Sequence, residues 1–422
     1  FNLKRDYEAL KKQLETDYPE YHNLKYNTKV ATVPEVQAAL DENTLLLEYF
    51  YGDSAIYIFA LDKGGLEIVT VKKDQRLDQQ IQAFRKAIIE SDYALFVEKG
   101  RTLYRTLLAP VAHQLGEKHL LIIPDGPLHY LPFETLLTKD IYGSEMDFSN
   151  VPYLLKERSV SYHYSATLWL ETTLRKREKE PSYDYVAFAP VNWDSTVASN
   201  AVFATLTANR ALDSTRALPV NLLSTRKEVL DIEAQFNEKY NLFASLLNRL
   251  GGNKTRVFLD HEATEAAAKH YNLEDYRYIH FATHGFANTA APTLSGLLLA
   301  DQRDSTASED GVLRLGEIYN LALNADLVIL SACETGYGKL SRGEGMLSLT
   351  RGFIYAGAKN LVVSLWQVDA NSPSELIPMF FKGVLKGEAK NAALRNAKLA
   401  LIKSGSVYAE PKHWAPFVLI GQ

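Results

Sequence analysis

The chain has 422 residues, 46% hydrophobic and 23% charged, with a formal net charge of −5 at neutral pH. These are globular values at a length that suits two or three domains; they exclude a fibrous or low-complexity protein, and the mild acidity argues against a general nucleic-acid binder. No apolar stretch approaches the ~18 residues of a membrane span and no signal peptide is visible, so no membrane partner is expected. Its single cysteine cannot form an internal disulfide, and a reducing, cytoplasmic compartment is the expectation. The chain opens on Phe1 rather than Met, so we expect the C-terminal piece of a larger protein.

Residues 1–40 read as a helical connector, with Leu10, Leu14 and Tyr18 among charged positions. Three strand runs follow, Thr44 to Phe50, Ala55 to Ala60 and Leu66 to Val71, separated by Gly52-Asp53 and Lys63-Gly64-Gly65, which predicts a hairpin extended to a meander. Residues 76–115 read as helical, and Leu120 to Ile123 as a short buried strand ending at Pro124-Asp125-Gly126. From 139 to about 260 the pattern loosens around a strand at Val186 to Phe188, a helix from Ser224 through Phe236 and a strand at Val257 to Leu259. Within it, 192–224 is rich in Ser, Thr, Asn and Ala without a steady period. Such a stretch is a functional flap, a site of self-cleavage (Arg210 and Arg216 being candidates) or a passive insertion. Residues 261–422 alternate strand and helix, predicting a parallel sheet with helices on both faces. No tandem repeat is evident, although Asp125-Gly126 and His284-Gly285 both follow a strand, so an early half could mirror the later one without its cysteine.

Cys333 ends the apolar run Leu327 to Ala332 and precedes Glu334-Thr335-Gly336; 49 residues upstream, the run Tyr278 to Ala282 leads into His284-Gly285. Two parallel strands would present an imidazole and a thiol at their C-terminal ends, the edge where open α/β sheets bind ligands. A lone cysteine is by default a buried structural thiol. Its place after the strand, the Gly-containing turn and helix behind it, and a His-Gly about 50 residues upstream all favour a nucleophile instead. His280 and His284 stand four apart, which on a helix would suggest a metal pair; on a strand, without a third ligand, no metal is expected. His280 inside the run reads as a packed, hydrogen-bonded histidine, and His284 at the exit as the base. Gly285 allows close approach, and its N–H could help bind an oxyanion. Gly336 to Ser341 fails as a phosphate loop, because position 333 is not Gly and Leu340 follows Lys339. Asp369, after Leu365-Trp366-Gln367-Val368, reads equally as a cap of the next helix and as a carboxylate recognising a basic substrate side chain.

The block from Tyr278 onward resembles the CHAT family of caspase-like peptidases, often fused behind TPR repeats. The resemblance is carried by His280-Phe281-Ala282-Thr283-His284-Gly285, Leu294-Ser295-Gly296-Leu297, Asn324 through Gly336, Arg342-Gly343-Glu344-Gly345-Met346, Tyr355-Ala356-Gly357-Ala358, Ser364 through Asp369 and Trp414 through Gly421. Upstream, Ile123 through Phe133 also fits. It implies a caspase-like α/β fold, a parallel-rich sheet with helices on both faces, preceded by a degenerate pseudo-caspase-like half as in separase. It also implies a dyad of His284 and Cys333, with Gly285 and the Cys333 amide at the oxyanion. Bacterial relatives act as regulated proteases in defence and cell death, cutting gasdermin-like or other effector proteins. Some relatives carry an acid two residues before the cysteine; Ser331 stands there, so recognition of a basic side chain rests on Asp369 alone.

The expected organisation is a connector (1–40) from an N-terminal TPR region, a pseudo-caspase-like half (41–180), an irregular linker and helix (181–260) and a catalytic half (261–422). The expected function is a regulated cysteine endopeptidase acting on a protein substrate, without metal or organic cofactor. The alternative is a catalytically silent scaffold that binds a protein partner.

Overall fold

The computed structural model describes residues 30–141, 147–177, 179–191, 222–247, 254–286, 292–300, 309–331, 345–366, 368, 369 and 371–422. Of the expected connector, helix α1 (Val33–Ala39) is described, its first turn closed by Glu35 accepting the Thr32 N–H at 2.8 Å. Strands β1 (Thr44–Tyr51), β2 (Ala55–Asp62) and β3 (Gly65–Lys72) form the expected antiparallel meander. The helical stretch divides into α2 (Leu77–Glu90) and α3 (Tyr93–Leu107). The break falls where Ser91 turns left-handed (φ 56°) and the Asp92 carboxylate caps α3 by accepting the Leu95 N–H at 3.1 Å. Then come β4 (His119–Ile123), β5 (Val160–Tyr162) and α4 (Ala166–Leu174).

The stretch read as linker supplies β6 (Tyr183–Ala189), α5 (Leu223–Leu247) and β7 (Thr255–Leu259). Residues 192–221 lie outside the described residues. The remainder alternates as expected: α6 (Glu265–His270), β8 (Tyr276–Phe281), β9 (Gly285–Phe286), β10 (Gly296–Leu298), β11 (Val312–Arg314), α7 (Leu315–Ile318) and β12 (Leu327–Leu330). After them come α8 (Gly345–Tyr355), β13 (Leu361–Ser364), α9 (Asn371–Leu385), α10 (Lys390–Lys403) and β14 (Phe417–Ile420).

Eleven strands form one sheet in the order β3-β2-β1-β4-β5-β14-β13-β12-β8-β6-β7, and β9, β10 and β11 make a small second sheet. The strands from β1 to β14 through β4 and β5 run parallel, as do those from β13 to β7; the direction reverses where β14 pairs antiparallel with β13. The turn after β4 (Asp125-Gly126) therefore leaves the sheet at the opposite edge from the turn after β8 (His284-Gly285).

Period-two alternation sends side chains to two layers. Leu45, Leu47, Leu120 and Ile122 enter the large core with Ile81, Phe84 and Phe96 of α2 and α3, while Leu46, Leu61, Leu121 and Ile123 pack on Val36 of α1 and Trp169 of α4. In the later half, Tyr185 stacks on Phe236 of α5 and meets Phe381 of α9, whereas Phe281 packs on Phe353 of α8 from the other face. The molecule is thus an α/β protein with a mostly parallel sheet covered by helices on both faces.

Candidate active site

Parallel strands β8 and β12 are hydrogen-bonded neighbours, with His280 opposite Ile329 and Phe281 opposite Leu330. His284 stands three residues beyond that last pair on one strand. Cys333 lies outside the described residues; in sequence it stands three residues beyond Leu330 on the other.

The backbone around His284 is pinned by the small sheet. The buried Thr283 hydroxyl donates to the Leu298 carbonyl, and the His284 carbonyl accepts the Leu298 N–H at 2.8 Å. Gly285 pairs with Leu297 one step on, at the position of the antiparallel ladder where no bonds are exchanged, so its N–H points away from β10. On its other side β10 approaches β11 closely because Gly296 has no side chain: a Cβ there would sit 2.8 Å from the Leu313 carbonyl oxygen.

Behind this edge His280 is fully buried and hydrogen-bonded on both ring nitrogens, as expected for a packed histidine. Nδ1 lies 2.9 Å from the Tyr185 hydroxyl and Nε2 lies 2.9 Å from the Ser331 hydroxyl. Nε2 is also 3.1 Å from Oε1 of Glu228, a fully buried carboxylate on α5. Glu228 is inconspicuous in the sequence, among charges near the start of a helix; the available signal is its place on the buried stripe of Thr225, Val229, Ile232 and Phe236.

Asp369 follows β13, the other neighbour of β12. Its Oδ1 accepts the N–H groups of Asn371 (3.0 Å) and Ser372 (3.2 Å) at the start of α9. Its Oδ2 accepts the Ser372 hydroxyl at 2.5 Å and lies 2.8 Å from Nδ1 of His413. Burial alone would raise its pKa; the bonds from His413, Ser372 and the Asn371 N–H outweigh that and hold the carboxyl well below its ordinary range. The capping role is thus filled, and the side chain stays 45% exposed on one flank.

Elsewhere, Glu265, Glu309 and Glu317 bring carboxylate oxygens to one point, which the Lys269 ammonium occupies at 3.2, 2.6 and 2.8 Å. Burial first, and then the flanking carboxylates, push the Glu265 carboxyl up to about 8, against the pull of Lys269. The cluster is satisfied internally.

The class defined so far is a mostly parallel α/β sheet in which an imidazole-bearing exit adjoins the strand leading to the chain's one cysteine. The CHAT domain family model matches residues 97–422, and the chain belongs to that family. Among curated proteins, Tetratricopeptide repeat protein 28 of Mus musculus is 31% identical over 110 residues, 26% of this chain and 4% of that protein. Its Homo sapiens counterpart is 31% identical over 118 residues, 28% of this chain and 5% of that protein. The chain therefore matches only a small part of either relative. Among solved structures, the Saccharomyces cerevisiae separase–securin complex aligns with TM-score 0.48 at 9% identity, covering 92% of this chain and 30% of that one. The Arg-specific cysteine proteinase gingipain R aligns with TM-score 0.38 at 9% identity, covering 82% of this chain and 75% of that one. Among the described residues, no helix is long and apolar enough to cross a membrane.

Proposed function

We propose that the chain is a cysteine endopeptidase with Cys333 as nucleophile and His284 as its base. The observation that carries this reading is the β8–β12 register, in which the two residues follow adjacent parallel strands at equal distance from the last registered pair. The Cys333 thiolate adds to a peptide carbonyl carbon, the Gly285 and Cys333 N–H groups stabilise the oxyanion, and the amine leaves with a proton from the imidazolium. Water, deprotonated by the same imidazole, then hydrolyses the thioester and frees the thiol. The outward N–H of Gly285 supports its part. No step calls for a metal or organic cofactor, and a reducing cytoplasmic compartment would keep the thiol free.

In this reading the exposed flank of Asp369 meets a basic side chain before the cut, and the substrate is a protein. The family resemblance suggests a gasdermin-like or other effector in a bacterial defence system. The name of the relatives suggests TPR repeats in cis as the regulating region. Cys333→Ala and His284→Ala should each abolish cleavage and leave the thermal unfolding midpoint within a few degrees of wild type, while His280→Ala should lower that midpoint without abolishing cleavage. Cleavage persisting in Cys333→Ala would sink the mechanism. A thiol that no peptidyl electrophile labels would leave the silent scaffold standing.

A further inference from the structure

Glu228 poses a physical problem. Its carboxylate is fully buried and, among the described residues, neither oxygen accepts a hydrogen bond. Burying an ionised carboxylate without hydrogen bonds or a counter-charge is among the costliest arrangements in a protein. The only basic group within ion-pair distance among the described residues is His280, at 3.1 Å. Among the described residues, the other groups bonded to that imidazole are hydroxyls, Tyr185 from β6 and Ser331 from the end of β12. Burial first, then Glu228 and Glu233 of the same helix, hold the Tyr185 phenol well above its ordinary pKa, so it remains a neutral hydroxyl.

We propose that Glu228 is a positioning residue: paired with a His280 imidazolium, it clamps Ser331 and so fixes the β12 end leading to Cys333 against the β8 end leading to His284. An imidazolium donates from both nitrogens, Nδ1–H to Tyr185 and Nε2–H to Ser331, with Glu228 supplying the balancing charge. Four elements meet at one ring: α5 through Glu228, β6 through Tyr185, β8 through His280 itself and the end of β12 through Ser331. The main chain adds the bond from the Ser331 N–H to the Phe281 carbonyl at 3.3 Å. Ser331 stands two residues before Cys333 and His280 four before His284, so the clamp ties the ends of the two strands to each other. The inference rests on the peptidase reading for its consequence and on the four side chains alone for the ion pair.

The test uses the full chain. In protein carrying ¹⁵N-histidine, with His280 signals assigned by their loss in His280→Gln, both ring nitrogens should appear protonated at neutral pH. In Glu228→Gln one of them should move to the range of a neutral ring. A neutral ring in wild type, or a ring still doubly protonated in Glu228→Gln, overturns the ion pair. Because Cys333 is the only cysteine, iodoacetamide alkylation against pH reads one thiol. Glu228→Gln and Ser331→Ala should each lower kcat about ten- to hundredfold with KM little changed. Both should move the thiol midpoint toward the ~8.5 of an ordinary cysteine. Unchanged kcat and midpoint in both, with only a lower Tm, would make the pair mere packing and overturn the positioning role. If Glu228→Gln does not fold, Ser331→Ala and the wild-type ring state decide. A wild-type thiol already near ~8.5 and unmoved by His284→Ala overturns the peptidase reading instead, with the His280 signals still deciding the ion pair.

Discussion

Asp369 is held from one side and open on the other, and its two roles separate by experiment. Its depressed pKa means the folded state releases this proton more readily than the unfolded chain. The stability it confers is therefore complete above the unfolded value of ~3.9 and is lost as pH falls from there toward the lower folded value. Asp369→Asn should accordingly lower Tm at neutral pH, with the gap to wild type narrowing below about pH 4. If the carboxylate also meets a basic side chain, the same variant should slow cleavage after Arg or Lys about ten- to hundredfold more than after an apolar residue. Equal slowing of both substrates would leave the cap as its only task. The histidines show how much chemistry a sequence exposes at this scale. His280, inside an apolar run, and His284, past its end before a glycine, were distinguishable because burial follows strand position. Glu228 was not, because a glutamate among charges near the start of a helix normally faces water and only the third dimension places strand β8 over it.

At the scale of elements, long runs were legible and short ones were not. β1, β2, β3, β4 and β12 are continuous apolar or alternating runs closed by turn residues, and their positions match the sequence expectation to within two residues at each end. β5 has three residues and β9 two, too few to show a period, and they exist because neighbouring strands supply the hydrogen bonds. β5 matters beyond its length. It meets β14 at one registered pair, Tyr162 with Ile420, and side chains must reinforce that seam. Glu134 does so: it accepts the Tyr162 hydroxyl and the Lys398 ammonium of α10, the latter at 2.6 Å, with both members of the ion pair 2% exposed. Burial pulls the Lys398 pKa down and Glu134 partly restores it. Removing one charge of such a pair strands the other, so Glu134→Gln should destabilise by about 3–5 kcal/mol. Glu134→Gln combined with Lys398→Met should recover much of that loss in denaturant titrations. A single variant within about 0.5 kcal/mol of wild type would refute the seam's dependence on this pair.

The whole molecule reads as two sets of parallel strands fused edge to edge in opposite directions. The mirrored glycine turns anticipated from the sequence therefore lie at opposite sheet edges, and the early half does not bring a second turn to the site. Strand order also changes what a cut between 192 and 221 would do. β6 precedes that segment but pairs with β7 and β8, which follow it, over five registered positions each. A chain nicked there should elute as one native species and separate only in denaturant. Intact-mass comparison of wild type with Cys333→Ala decides whether the protein makes such a cut itself. Two native peaks after nicking would contradict the strand order. That order has a further consequence during synthesis. β14 is the last strand of the sequence yet lies in the interior of the sheet, between β5 and β13. On the ribosome, β5 waits with a bare edge until residues 417–420 emerge, an interval of tens of seconds at ordinary elongation rates for the ~250 residues that separate it from β14. Unpaired edges are templates for other chains, so the nascent polypeptide is vulnerable to aggregation until β14 closes the gap.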